Sequence, residues 1–409
     1  MPSTLDPLRD RDFRLYFVGE VVSSIGSGLH LVALGWYILA RTGSATDVAL
    51  VWTITLGSGV VALPVTGPLA DRHSRRLLCV AADIVRIAAV GLLAGLAFSG
   101  SPPLWAIYLL TFVIGLGHDV FWPSIMALLQ EIIRADQLVN ASGLVEVTFQ
   151  VGSLTGAALG GPLLVHYGLG WALTVDAVSY VVSAAALLAL HHRPAPREHH
   201  ESFARMLRDG LGYLRGNASV AGFGIVSVMP FVATISLNVV FVSYVLDVMH
   251  RSATVYGLTD MMYGAGALAS GFLAAMLVIR LGEWSSMLLA IAVLVCGYLA
   301  LAAGPATVIG LFALAALVGF CSSGFRVISN SVLLRVVPNV VMGRTSATIY
   351  LVSILMQVVA TLAVGPIVNQ AGARGGFIML ACVVAVAGAA LGVLLPRLRA
   401  LPRAVPEGG

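Results

Sequence analysis

Lysine is missing altogether: all 23 basic residues of this 409-residue chain are arginine. Charge of either sign is scarce, at 10% of residues against about 25% in soluble domains. With 59% hydrophobic residues and a mean hydropathy of +0.96, that scarcity excludes an ordinary water-soluble domain and leaves a polytopic membrane protein. Cysteine occurs only as Cys79, Cys296, Cys321 and Cys382, each alone in an apolar run and never in C-x-x-C spacing. The spacing argues against a disulfide framework or a zinc site, and the four read as packing residues. No Walker loop, H-E-x-x-H or nucleophile elbow occurs either. ATP hydrolysis and metalloprotease chemistry therefore have no support, and no enzyme activity, cofactor, metal or nucleic-acid partner is expected.

What is present is a series of twelve apolar runs, at about 15–39, 48–69, 77–98, 104–129, 142–166, 170–190, 219–246, 255–279, 286–303, 306–334, 345–368 and 376–395. Roughly 20 residues cross ~30 Å of hydrocarbon at ~1.5 Å per residue. Lipid offers no partner to an unpaired backbone group, so all twelve are expected to be helices. Arginine placement orients them. Of the 23, 18 fall in one alternating set of connections and in the termini, Arg41, Arg251 and Arg374 fall in the other set, and Arg86 and Arg326 lie inside spans. The positive-inside rule then puts both termini in the cytoplasm and the chain in the plasma membrane. The opening stretch carries Asp6, Asp10 and Asp12 and runs into a full-length span, which is not the pattern of a cleavable signal peptide.

One long polar break, His191 to Asn217, divides the runs six and six. Its second part places Phe203, Met206, Leu207, Leu211 and Leu214 near one helical face with arginines elsewhere, the pattern of an interfacial amphipathic helix. The expected organisation is a six-helix bundle over 1–190, a cytoplasmic linker over 191–217, a second bundle over 218–396 and a cytoplasmic tail over 397–409. The halves also echo each other, residues 113–121 lying over 317–325 with Gly115 on Gly319 and Phe121 on Phe325.

Between the second and third runs stands a charged turn, Gly67-Pro-Leu-Ala-Asp-Arg-His-Ser-Arg-Arg76. It resembles the loop between helices two and three of major facilitator superfamily transporters, written G-x-x-x-D-R-x-G-R-R. Gly67, Asp71, Arg72, Arg75 and Arg76 match, and Ser74 stands where a glycine is usual. The fifth run resembles the glycine motif of the superfamily's antiporters, G-x8-G-x3-G-P-x2-G-G, with Gly143, Gly152, Gly156, Gly160 and Gly161 in place and Ala157 for the proline. Gly152, Gly156 and Gly160 recur every fourth residue and form a strip on which another helix backbone can pack closely. The stretches Leu8–Phe17, Ala40–Ala45, Ala70–Arg72 and Asp83–Arg86 are similar to the branch that holds enterobactin exporters and macrolide-efflux proteins.

The resemblance implies an all-α integral membrane fold of twelve transmembrane helices in two six-helix halves, with substrate held between them near the midplane. It implies proton-coupled export of a hydrophobic or amphiphilic small molecule by alternating access, as in drug efflux, by a monomer. A siderophore or lysophospholipid transporter without proton coupling stays open, as does a transport-dead sensor or scaffold. In the family, the aspartate matching Asp71 meets the start of span eleven, where a helix N-terminus attracts a carboxylate, and the glycine strip is thought to seal the resting interface.

Ionisable residues inside spans are where coupling should reside, because a bare charge at the bilayer centre costs several kcal/mol. Asp119, ~15 Å from the inner end of span four, is the first candidate to carry a proton, with His118 second. Glu20 and Glu146 lie ~7–8 Å inside the inner ends of spans one and five. Glu146, Gln150 and Ser153 share one helical face, distinct from the glycine strip. Spans one, four and five line the cavity in the family, so Glu20, Asp119 and Glu146 are expected to share a pocket. His30 reads as a hydrogen-bonded packing residue rather than a ligand. Asp83 and Arg86, three apart, read as a structural ion pair tied to the Asp71 turn. Arg326, ~13 Å from the inner end of span ten, cannot discharge and needs a carboxylate, backbone carbonyls or an anionic ligand. Trp36, Trp122, Phe325 and Tyr350 are candidates for apolar cavity wall, while Asp176 and Asp260 are placed near the outer interface.

Overall fold

The computed structural model describes residues 6–133, 137–191, 203–305 and 307–399, which form helices joined by short turns, with no strand among the described residues. In chain order the helices are α1 (Arg11–Thr42), α2 (Ala45–Arg72), α3 (Arg75–Ser99), α4 (Leu104–Ile132), α5 (Leu138–Tyr167) and α6 (Leu169–Leu188). They continue with α7 (Phe203–Gly216), α8 (Ala218–Ser243), α9 (Ala253–Leu281), α10 (Glu283–Ala303), α11 (Val308–Val336) and α12 (Asn339–Arg399). A π-helical turn, Tyr244–Val248, extends α8.

Several helices outrun the apolar stretches because polar residues finish them. Asp10 accepts hydrogen bonds from the Asp12 and Phe13 amides, so α1 starts ahead of its first apolar turn. Gly43, at φ 64°, closes α1 in the left-handed conformation that glycine adopts without penalty. α12 is 61 residues long, ~90 Å at ~1.5 Å per residue, which is far more than one crossing. It breaks at Gly372, whose φ of 69° and ψ of 178° are not helical, and so comprises two helices. Counting α12 once, nine described helices are long and apolar enough to cross a membrane. A tenth is added if the two parts of α9, Ala253–Gly271 and Leu273–Leu281, bent by 54°, form one span. Large apolar side chains such as Ile84, Leu92, Val178, Val359, Leu362 and Val393 point outward, as lipid-facing surface requires.

The chain divides into two compact units. The first holds α1, most of α2, α3 to α6 and residues His250–Met261 at the start of α9; the second holds Ser44–Ala49 at the start of α2 and α7, α8, the rest of α9 and α10 to α12. In the first unit α1 lies between α5 and α6, and α3 between α4 and α6. Glycines set the closeness of α1 and α5: a methyl on Gly156 would stand 2.1 Å from the Ile25 carbonyl oxygen, and one on Gly160 2.8 Å from that of Leu29. At one end of this unit Phe13, Cys79, Phe121, Ile125, Leu128 and Leu187 make a fully apolar cluster. Trp105, Tyr167 and Trp171 stand exposed at the other ends of α4, α5 and α6, the aromatic edge typical of a membrane–water boundary.

In the second unit α12 packs on α7, α8 and α10, while α11 packs on α8 and α10. Close approach again depends on missing side chains: a methyl on Gly319 would stand 1.9 Å from the Tyr263 carbonyl oxygen, and one on Gly266 equally near that of Ala316. The Asn369 side chain accepts from the Ala45 amide at 2.8 Å and donates to Thr46 Oγ1 at 2.8 Å, tying α12 to the start of α2. All four cysteines are free; Cys79 and Cys321 are buried in the packing, whereas Cys296 and Cys382 are exposed and pack against no core.

Candidate functional site

The half-buried Asp119 sits near the middle of α4 and meets one specific partner, Ser58 of α2, whose Oγ is 2.7 Å from Asp119 Oδ2. Ser58 is fully buried, and the absence of a side chain at Gly115 makes room for it. The same Oγ is 2.6 Å from the Thr55 carbonyl oxygen. One hydroxyl proton serves one acceptor at a time, so the triad has two consistent arrangements. With Asp119 ionised, Ser58 donates to the carboxylate. With Asp119 protonated, the acid donates to Ser58 Oγ and Ser58 turns its own proton to Thr55. No ion pair holds Asp119 among the described residues, and Gly59 of α2 packs beside its carboxyl group, where a methyl would stand 3.5 Å from Oδ2. Pro123, one turn further along α4, has no N–H to give the Asp119 carbonyl, which loosens the helix at this point.

Beside it, the exposed His118 ring stacks on Trp122 at 6.3 Å between centroids, and Trp122 leans on Phe149 of α5 at 5.4 Å. Glu146 is exposed on α5, with Gln150 and Ser153 half-buried along the same helix. Glu20 is nearly inaccessible and accepts from Ser24 Oγ at 3.3 Å. Asp119 thus turns to α2, the His118–Trp122–Phe149 contacts run from α4 to α5, and Glu20 is enclosed within the helix packing, so the structure does not bring the three carboxylates together as one cluster.

Asp83 and Arg86 form the ion pair their spacing anticipates, both buried. Arg86 is also held between two aromatic faces, its guanidinium carbon 4.3 Å from the ring centroids of both Phe121 and Tyr180. Cation–π contact on both faces compensates a charge kept from water. His30, read as a packing residue, is bonded through Nδ1 to Asp176 Oδ2 at 2.6 Å across α1 and α6. Asp176 is wholly buried, and the small Gly26 lets α1 close over it.

At the cationic turn, Arg75 bonds Glu131 at 3.1 Å and the Ala127 carbonyl at 2.8 Å. Arg76 donates to the carbonyls of Leu188, the last residue of α6, and of Leu190 just past it, capping orphan acceptors. The side chains of Gly67, Asp71 and Arg72 lie outside the described residues. The glycine strip faces α1 through Gly152, Gly156 and Gly160, and Gly161 lies against the Ala253 carbonyl at the start of α9; Gly143 meets open space and is not part of the packing.

In the second unit Arg326 is exposed and lies over the Phe231 ring at 5.5 Å from guanidinium carbon to centroid. Tyr350 is exposed on α12 and Phe325 is fully buried in the core. Trp36 is half-buried, stacked at 6.2 Å on Tyr256 of α9. Among the described residues no group of three or more histidine, cysteine or acidic side chains is arranged to hold a metal. Sequence reasoning missed Ser58, Phe149, Phe121, Tyr180 and Phe231; only the serine and proline flanking Asp119 in space and sequence carried a signal, as helix-compatible polar or kinking residues in apolar runs.

A helical membrane fold of this kind, with ionisable groups within spans and glycine-mediated contacts, is of the class that membrane transporters use. The profile of the transmembrane secretion effector family matches residues 2–405, and the chain belongs to that family. It is 23% identical over 265 residues to Macrolide efflux protein A of Streptococcus pyogenes, covering 64% of this chain and 65% of that protein. It is 27% identical over 266 residues to Enterobactin exporter EntS of Escherichia coli O1:K1, covering 64% of each. The chain therefore aligns with about two thirds of the length of these relatives. The fold is shared with the nucleoside transporter NupG, at TM-score 0.78 and 17% identity over 94% of this chain and 99% of that one. A bacterial homologue of the iron transporter ferroportin matches at 0.72 and 15% identity, over 94% and 98%.

Proposed function

We propose that this protein exports a hydrophobic or amphiphilic small molecule in exchange for protons, with Asp119 carrying the proton. The Asp119–Ser58–Thr55 triad carries this reading: a half-exposed carboxyl in mid-span, without an ion-pair partner among the described residues, whose hydrogen bonds are satisfied in either protonation state. Coupling requires proton and substrate to favour different conformations, which a group that keeps its partners in both states allows at little local cost. His118, Trp122, Phe149, Gln150 and Glu146 offer the aromatic and polar surface an amphiphile needs. Trp36, Tyr350 and Arg326 are proposed substrate contacts, and His118, Glu20 and Glu146 are the further proposed proton sites. The names of the relatives, an efflux protein and an exporter, support outward transport.

The same proposal includes twelve spans in two halves, 1–190 and 218–396, with 191–217, 397–409 and both termini in the cytoplasm. Asp71 and its arginines act as a gate there, and the protein works as a monomer. The likeness to EntS supports a second reading, export of a siderophore, which in its uncoupled form moves no protons. The discriminating experiment reconstitutes the protein in liposomes with an interior pH dye and presents lipophilic cations, macrolides and siderophores. Substrate-triggered proton movement that disappears in Asp119→Asn is expected. Substrate movement with no proton flux, unchanged in Asp119→Asn, would replace the exchange reading with the siderophore one.

A further inference from the structure

Away from the Asp119 surface, α7 roofs an apolar groove of about 220 Å³ between α8 and α12. Leu211 and Leu214 of α7, Ile225 of α8, and Ile349 and Val352 of α12 form its walls. The volume exceeds the ~150 Å³ of an apolar cavity that takes up benzene, and the groove is open: Leu211 and Ile225 are 41% and 47% exposed. Its rim is cationic. Arg215 lines the groove, and Arg205 and Arg208 are exposed on the same helix. A 100° step per residue places Arg208 and Arg215 within ~20° of each other around α7, with Arg205 ~60° from Arg208. The one acid of α7, Asp209, is already paired with Arg344 at 3.4 Å, and Gly210 rests against the Arg344 carbonyl. α7 is thereby clamped to α12 with its positive charge left facing out.

Hydrocarbon walls under an arginine rim fit an amphiphile whose head is anionic. We propose that the groove beneath α7 is a binding site for an anionic phospholipid of the surrounding bilayer, one acyl chain lying along Leu214, Ile225 and Ile349 and the phosphate meeting Arg215. The inter-bundle helix is then held at the membrane surface by a lipid as well as by the Arg344–Asp209 pair. A basic segment beside a membrane gains about 1 kcal/mol per arginine on anionic lipid, roughly a fivefold change in affinity.

The test uses the full chain in detergent, exchanged with palmitoyl-oleoyl phosphatidylglycerol or phosphatidylcholine, with lipid retention read by native mass spectrometry. One phosphatidylglycerol is expected to stay bound where phosphatidylcholine does not. Arg215→Gln weakens that retention about fivefold, and Ile225→Trp, which fills the groove, removes it. Arg280→Gln, an exposed arginine on α9, leaves retention unchanged. Equal retention of the two lipids, or phosphatidylglycerol binding indifferent to both groove variants, overturns the proposal; should Ile225→Trp fail to fold, the exposed Arg215→Gln decides alone. The readout needs no transport, so an Asp119 that carries no proton leaves it intact.

Discussion

Gly156→Ala should loosen the α1–α5 contact, and the size of the effect follows from geometry. A methyl built at Gly156 stands 2.1 Å from the Ile25 carbonyl oxygen, 2.7 Å from the Leu29 nitrogen and 3.0 Å from the Gly28 Cα. All three are backbone atoms of α1, so no rotamer change relieves the clash and the helices must part. Overpacking of this kind costs about 1–3 kcal/mol. Alanine also stiffens the unfolded chain and favours helix by ~0.5–1 kcal/mol, which would mask part of the loss. Gly143→Ala supplies the correction, since a methyl there meets nothing within 4 Å on the same helix. The difference between the two variants isolates the clash, and at ~2–4 °C per kcal/mol for a unit of this size it amounts to roughly 2–12 °C in Tm. In a background with the exposed Cys296 and Cys382 changed to serine, the buried free thiols of Cys79 and Cys321 report the transition through a thiol-reactive fluorophore on heating. If Gly156→Ala melts with or above Gly143→Ala, glycine is not what sets the approach of α5 to α1.

Two further substitutions probe contacts within single units. Arg86→Gln strands Asp83 in a site with no water access and should cost about 3–5 kcal/mol, seen as lost yield and an early melt, while the double variant Asp83→Asn with Arg86→Gln recovers much of it; equal damage in single and double variants would mean the Phe121–Tyr180 sandwich, not the charge pair, dominates. Asn369→Ala removes both bonds to the start of α2 and should destabilise by about 1 kcal/mol, the usual worth of a helix cap, while Asn369→Asp, whose carboxylate accepts from both the Ala45 amide and the Thr46 hydroxyl, should keep that stability in the same melt.

The helical, membrane-embedded character of the chain was legible because it follows from local composition: an apolar run of sufficient length has no other way to satisfy its backbone in lipid. Gly156 and Gly160 were legible as a packing strip for a similar reason, since their four-residue spacing places them on one face whatever the partner. Asp83 and Arg86, three residues apart on one helix, could be paired from spacing alone. Which helix the strip would meet was not legible, nor that Gly143 would stand outside the contact.

Pairings across helices belong to the tertiary structure. Ser58 meets Asp119 across 61 positions, His30 meets Asp176 across 146, and Arg326 meets the Phe231 ring. Hydropathy says that a segment lies in the membrane but is nearly blind to its rotation about its own axis. That rotation is decided by how closely neighbouring backbones can approach, at Gly26, Gly115 and Gly156 among others, and a turn of one residue, ~100°, would have carried each polar side chain away from its partner. The sequence by itself determined the helices, their approximate ends and the ionisable groups buried in them; the packing of those helices decided which group each one touches.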